Sequence, residues 1–152
     1  MATTGIWKIG SRLDNVLKYT TNIEKTNNME YSKEPYCNLH NVIEYVEADY
    51  KTEKQFYVTG INCSSDRALE EMLITKERFH KTKGILGFHA FQSFKEGEVT
   101  PELAHEIGIK LAEEMWGDRF EVVVSTHLNT KHYHNHFVIN SVSFVDGKRY
   151  YD

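Results

Sequence analysis

Residues 120–144 read FEVVVSTHLNTKHYHNHFVINSVSF. Two β-branched and aromatic runs, 120–127 and 132–144, flank the short polar stretch Leu128-Asn129-Thr130-Lys131, which is the pattern of a β-hairpin. Side chains alternate along a strand, so His132, His134 and His136 share one face with Val138 and Asn140. Pairing His127 with His132 adds His127, Ser125 and Val123 to that face, because opposed residues of an antiparallel pair point the same way. The other face then carries Phe120, Val122, Val124, Phe137 and Ile139, a core surface. One register therefore sorts apolar from polar residues and gathers four imidazoles, whereas a slip of one residue scatters both sets.

Four neutral imidazoles on one face are a poor structural choice. Each ring nitrogen needs a partner, and protonated rings repel one another. A divalent cation removes both problems by taking the lone pairs of three of them. Three histidines with open coordination positions describe a catalytic rather than a structural site. Imidazole suits Zn, Mn, Ni, Cu or Fe, with Mg less typical. The plain alternative is a solvated histidine-rich strand, and a lone HxH pair also occurs in cupins and carbonic-anhydrase-like enzymes.

The rest of the chain supplies one domain around this hairpin. With 152 residues, 40% of them apolar and 26% charged, the composition is that of a single globular core. It excludes disorder, collagen and a disulfide scaffold. No apolar run reaches the ~20 residues of a membrane span, and the N-terminus has no secretory apolar stretch. Cys37 and Cys63 lack metal-ribbon spacing, consistent with reduced thiols in a cytoplasmic protein. The net charge of −4 gives no global attraction to nucleic acid, so DNA binding would need a local basic groove.

Coarse periodicity fills in the remaining elements. Ile6–Ile9 reads as a short strand. Ser11 to Asp14 reads as a capping-box start to a helix with the stripe Leu13, Val16, Leu17 and Thr20. A polar connection covers 20–38, and a helix from Asn38 carries Leu39, Val42, Ile43 and Val46. Gln55–Cys63 alternates as a strand, and Ser64-Ser65-Asp66 caps a helix whose inward residues are Leu69, Met72, Leu73 and Phe79. Residues 84–94 form an aromatic strand. Thr100-Pro101 starts a helix with Leu103, Ile107, Leu111 and Met115 inward and Gly117 at its end. The order favours an α+β fold, a mainly antiparallel central sheet with helices covering one face. A last turn at Asp146-Gly147 opens what reads as a further hairpin, so the domain is expected to continue past Asp152.

Tyr19 is the other residue of chemical interest. At ~100° per residue it lies roughly 110° from the stripe of its own helix, and a phenolate is a competent nucleophile toward phosphorus. Leu17-Lys18-Tyr19, Asn22-Ile23-Glu24-Lys25-Thr26 and the spacing His127-x6-His134-x-His136-x3-Asn140 together resemble the relaxase (mobilisation nuclease) family of conjugative plasmids and transposons. These are histidine–hydrophobic–histidine endonucleases of single-stranded DNA. KTEKQFYVTGINC, HAFQSFKEGEVTPELAHEIG and HNHFVINSVSF resemble the same N-terminal catalytic domain, so the likeness spans nearly the whole chain.

The resemblance implies Tyr19 as nucleophile, His127, His134 and His136 as metal ligands, and Asn140 as an orienting residue. It departs from the family pattern in three places. The central position of the histidine pair is Asn135 rather than apolar, which makes His132, in His132-Tyr133-His134, a rival ligand. Asn129 stands where an acid is common, so a carboxylate that orients a ligand imidazole must come from elsewhere. Ile23 replaces a frequent proline.

The implied reaction is metal-dependent transesterification at an origin of transfer, with Mn or Mg in use and Zn or Ni possible. Its partners are single-stranded DNA with an adjacent hairpin, relaxosome accessory proteins and a coupling protein, with no membrane. His89, Gln92 and Ser93 could line the same groove. Lys18, Lys25, Lys131, Lys148 and Arg149 are candidate phosphate contacts, and Tyr31 and Tyr36 could stack on bases. Three other readings remain open: a rolling-circle replication initiator, a non-covalent histidine-metal hydrolase and a metal-stabilised DNA-binding module that never cleaves.

Overall fold

A computed structural model describes residues 2–22 and 57–150. Lys25, Tyr31, Tyr36, Cys37 and the helix expected from Asn38 lie outside the described residues. Five strands form one fully antiparallel sheet in the order β1-β3-β5-β4-β2. These are β1 (Thr3–Ile9), β2 (Val58–Ile61), β3 (Gly87–Ser93), β4 (Val122–His127) and β5 (His134–Asn140). Among the described residues, three α-helices pack on the sheet: α1 (Leu13–Thr20), α2 (Ala68–Arg78) and α3 (Pro101–Trp116). No helix among the described residues is long and apolar enough to cross a membrane. The α+β class is as expected, but the helices cover both faces of the sheet rather than one.

Alternation along β4 and β5 explains the two layers. Val122, Val124, Phe137 and Ile139 form one cluster with Ala112 and Trp116 of α3. Val123 and Val138 point the other way and cluster with Leu13, Leu17 and Met72 of α1 and α2. The hairpin register differs from the expected one by two residues, since His127 pairs with His134 and Ser125 with His136. A shift of two preserves which side chains share a face. The six residues 128–133 form the connection, because Tyr133 is drawn off to accept from the Phe94 amide at 2.9 Å.

Two helix stripes shift from the expected ones. In α3, Ala104, His105, Gly108, Ala112 and Trp116 are buried, while Leu103 and Met115 are exposed. The helix approaches the sheet through small residues: a Cβ on Gly108 would lie 2.6 Å from Asn135 Nδ2. In α2, Thr75 and Lys76 turn inward and Leu73 outward. The cap at Thr100 forms as expected, its hydroxyl accepting from the Leu103 amide at 3.1 Å. The capping box at Ser11 does not form. Arg12, at φ 55°, instead takes Asp14 in a two-point ion pair at 3.0–3.1 Å, which holds the Asp14 carboxyl below its usual range.

Candidate active site

On the α1 face the sheet divides into two halves. Toward the Ile9 end of β1 and the Asn140 end of β5, the surface is apolar and roofed by α1 and α2. Toward the other end the same face carries Trp7, His89, Phe91, Ser93, His134, His136, Ser125 and His127. Helix α1 stops at the border between these halves. Thr20 and Thr21 hydroxyls both turn back onto the Leu17 carbonyl at 3.2 and 2.8 Å, competing with continued helix.

A helix leaves its last carbonyls without intrahelical donors, and His127 supplies one of them. Its Nε2 lies 2.8 Å from the Thr20 carbonyl oxygen. A carbonyl only accepts, so Nε2 carries the proton and Nδ1 keeps the lone pair. His134 is fixed in the complementary way, Nδ1 donating to the His132 carbonyl at 3.0 Å and leaving Nε2 as the base. His136 Nδ1 faces His89 Nε2 at 2.6 Å. If His136 Nδ1 donates there, its Nε2 is the remaining lone pair. One ring nitrogen from each of His127, His134 and His136 falls within 4.8 Å of the others. Three neutral imidazoles with outer nitrogens engaged fit a borderline divalent cation with open positions. Two backbone carbonyls and a histidine are among the groups that fix these three rings.

Tyr19, one residue before the anchored Thr20, sits over this cluster. Its ring lies edge-on to His127 at 5.7 Å and to His136 at 5.8 Å between centroids. It is 48% exposed, although beside two packed rings. His89 is buried, and burial pushes its imidazole down to about 4, so it is neutral near pH 7.

The structure separates the other sequence candidates. His132 lies in the connection outside the triad, its Nδ1 donating to the Phe94 carbonyl at 3.1 Å. Ser93 opposes His134 on the same face. Gln92 points to the opposite face, where its side-chain oxygen accepts from Asn135 at 3.0 Å. Asn140 is at the roofed end, four residues along β5 from His136. There it accepts from buried Lys76 and donates to Met72 O at 3.2 Å and Glu121 Oε1 at 3.0 Å. Burial pushes Lys76 down to about 8 and Glu121 upward, so this is an internal polar anchor. Lys148 and Arg149 lie in the hairpin beyond that end, with Arg149 bound to the Lys83 and Ile85 carbonyls. Lys18 is half-buried in the last turn of α1, and Lys131 is exposed. Lys131 lines an open cleft of about 480 Å³ with Glu96, Asn129 and Tyr133.

Sequence reasoning missed a second polar cluster on the reverse face. Asn135 Nδ2 donates to the Ala104 carbonyl at 2.8 Å and to Gln92, so its Oδ1 accepts from Thr126 Oγ1 at 2.6 Å. The single Thr126 hydrogen is thereby used, and His105 Nδ1 must donate to Thr126 at 2.7 Å. His105 Nε2 then accepts from Thr59 at 2.7 Å. Burial pushes His105 down to about 4. The available signal was the small-residue stripe Ala104, Gly108 and Ala112, which marks the close-packed face of α3 and turns His105 inward.

Comparison with known proteins identifies the family. Residues 45–152 match the family model described as relaxase, MobA/VirD2-like, nuclease domain. A Staphylococcus aureus protein named rlx is 40% identical over 102 residues, which is 67% of this chain and 32% of the relative. A second rlx protein from Staphylococcus aureus is 38% identical over the same length. The group II intron-interrupted relaxase LtrB of Lactococcus lactis is 30% identical over 140 residues, 91% of this chain and 24% of the relative. The chain thus spans about a third or less of these relatives' length. No solved structure matches it.

Proposed function

The chain belongs to the MobA/VirD2-like relaxase family, whose nuclease domain it carries, and from that premise we propose that it nicks single-stranded DNA at an origin of transfer through a covalent tyrosine adduct. The observation that carries this reading is the placement of an exposed Tyr19 against His127 and His136. A nucleophile for a phosphodiester must reach phosphorus while another group holds the phosphate in line, and these two parts stand side by side. Tyr19 Oη forms a bond to phosphorus as the bond to the 3′ oxygen breaks. The phenol gives up a proton and the departing oxygen gains one, leaving a 5′-phosphotyrosyl strand and a free 3′-OH.

A divalent cation held by His127, His134 and His136, Mn or Mg in use with Zn or Ni compatible, would polarise a non-bridging phosphate oxygen. The Thr20–His127 hydrogen bond couples the helix that bears the nucleophile to the hairpin that bears the ligands. Because the ester bond is conserved in the adduct, the 3′-OH can reverse the step and rejoin the strand. In this reading Ser93 and Lys131 border the DNA path, and Lys18 follows the phosphate next to Tyr19. A flanking DNA hairpin, accessory proteins and a coupling protein complete the proposed setting, in the cytoplasm.

The test incubates the chain with a single-stranded origin oligonucleotide and Mn²⁺, then resolves the products on a denaturing gel. A retarded protein–DNA band that EDTA prevents and Tyr19→Phe abolishes is the expected result. Cleavage with no adduct would support the non-covalent hydrolase instead. An adduct persisting in Tyr19→Phe would move the nucleophile to another residue.

A further inference from the structure

Among the described residues, two aromatic side chains are exposed, Tyr19 and Trp7, and both border the histidines. Trp7 belongs to the edge strand β1 and is paired with His89 across to β3, so it stands on the histidine face. Its ring lies 4.5 Å from His89, and the His89 ring lies 4.9 Å from His136. A row of rings therefore crosses the sheet obliquely, from His127 through His136 and His89 to Trp7. With strands ~4.8 Å apart, Trp7 is about 10 Å from β5.

Packing does not account for an indole here. Ile9, two residues further on the same face, is buried beneath α1, whereas Trp7 is 45% exposed. Phe91 lies 5.8 Å from Trp7 and extends over β1 at Gly5, where a Cβ would come within 2.5 Å of the Phe91 ring. Glycine at that position leaves the space that Phe91 needs.

We propose that Trp7 is a base-stacking site, its indole taking the face of one nucleobase of the single strand whose phosphate lies among the histidines. This rests on the nicking function proposed above. Every base has an apolar ring face, so a tryptophan platform holds a strand without reading its sequence. Continuity with the histidine row sets the occupant: a strand running across the face from Tyr19 passes over His136 and His89 before it reaches the indole. Stacking there would hold the strand at a fixed distance from the nucleophile, a positional contribution separate from phosphate contacts.

The experiment titrates the intact chain with the oligonucleotides dT12 and dA12 in low salt and EDTA, where no cleavage occurs, following tryptophan emission. Trp116 is buried, so Trp7 is the reporter. Both oligonucleotides are expected to quench, and Trp7→Phe should remove the quench. Trp7→Ala should weaken binding about 5- to 100-fold, with Trp7→Phe restoring part of the affinity. Binding by Trp7→Ala within twofold of the original, a quench that survives Trp7→Phe, or no binding of dT12 would each overturn the proposal. Failure of the nicking function shows separately, as a missing adduct on the denaturing gel.

Discussion

Strands β4 and β5 carry a polar cluster on each face, offset by one residue, and the two clusters differ in how their hydrogen bonds end. On the α3 face the hydrogen-bonded series Thr59, His105, Thr126, Asn135 is closed in the sense that each donor meets an acceptor within the protein, Asn135 passing its own hydrogens to Gln92 and the Ala104 carbonyl. On the α1 face His127, His134 and His136 each spend one nitrogen on an acceptor or neighbour that fixes the ring, and the second nitrogens converge. A closed buried network rigidifies a sheet. A convergent one could hold a cation. His105 of α3 and His136 of β5 are both buried imidazoles packed at this sheet, yet the first is flanked by two hydroxyls and the second by other imidazoles.

Removing a ligand should break the convergent cluster without breaking the closed one. His136→Ala deletes one donor and strips His89 of its partner. We expect Mn²⁺ affinity by calorimetry to fall more than about 100-fold, beyond the 10- to 100-fold usual for outer-shell partners, and adduct formation to disappear. His89→Ala should fall within that outer-shell range. His132→Ala should leave both measurements within about twofold, since its ring is held by Phe94 O outside the triad. Equal damage from His132→Ala would mean that the ligand set is wrong.

The difference between the clusters also explains what could be read from residues alone. Strict alternation at 122–127 and 134–140 makes the histidine face and the apolar face legible, and it survives a two-residue error in register. Tyr19 stands out because it leaves the stripe of its helix. The outer hydrogen bonds were not legible: the Thr20 carbonyl that holds His127 has no side-chain signature, and the His89–His136 contact depends on which strand lies beside β5. Asn140 was drawn toward the site by its spacing, whereas Lys76, turned inward from α2, claims it. On α3, large apolar residues do not mark the buried face, since Leu103 and Met115 are exposed. Close approach favours Ala104, Gly108 and Ala112 instead.

Acid should sharpen the contrast on the closed side. His105 accepts a proton near pH 6.5 in the unfolded chain but only near 4 when folded, because a buried charge is penalised. The unfolded chain therefore binds more protons between these values, and stability is full above pH 6.5 and falls as the pH drops toward 4. Complete loss of this contribution is on the order of 3 kcal/mol. His89 is shifted in the same direction by burial. Urea unfolding of the metal-free chain from pH 7 to 4.5 should show the decline. His105→Gln, which keeps a donor and an acceptor but does not titrate, should reduce its steepness by roughly half. An unchanged slope would place the acid sensitivity elsewhere.

The smallest effect, and the most discriminating, belongs to Asn135. Asn135→Leu keeps the side-chain volume but leaves the Thr126 hydroxyl and the Ala104 carbonyl without their partner, which should cost about 1–3 kcal/mol in urea unfolding. Adding Thr126→Val removes the hydroxyl that has lost its acceptor, but also the partner of His105 Nδ1. Replacing both partners by apolar groups of similar shape can be nearly neutral, and with His105 left short of one partner the double variant should recover only a small part of the loss. The relaxase pattern has an apolar residue between its paired histidines, and the double variant moves this face toward that pattern. If the closed network serves only to fill and fix the reverse face, the double variant should bind Mn²⁺ within about threefold of the original chain. A larger loss would mean that the hydrogen bonds themselves hold the spacing of His134 and His136, and that the two clusters are energetically one.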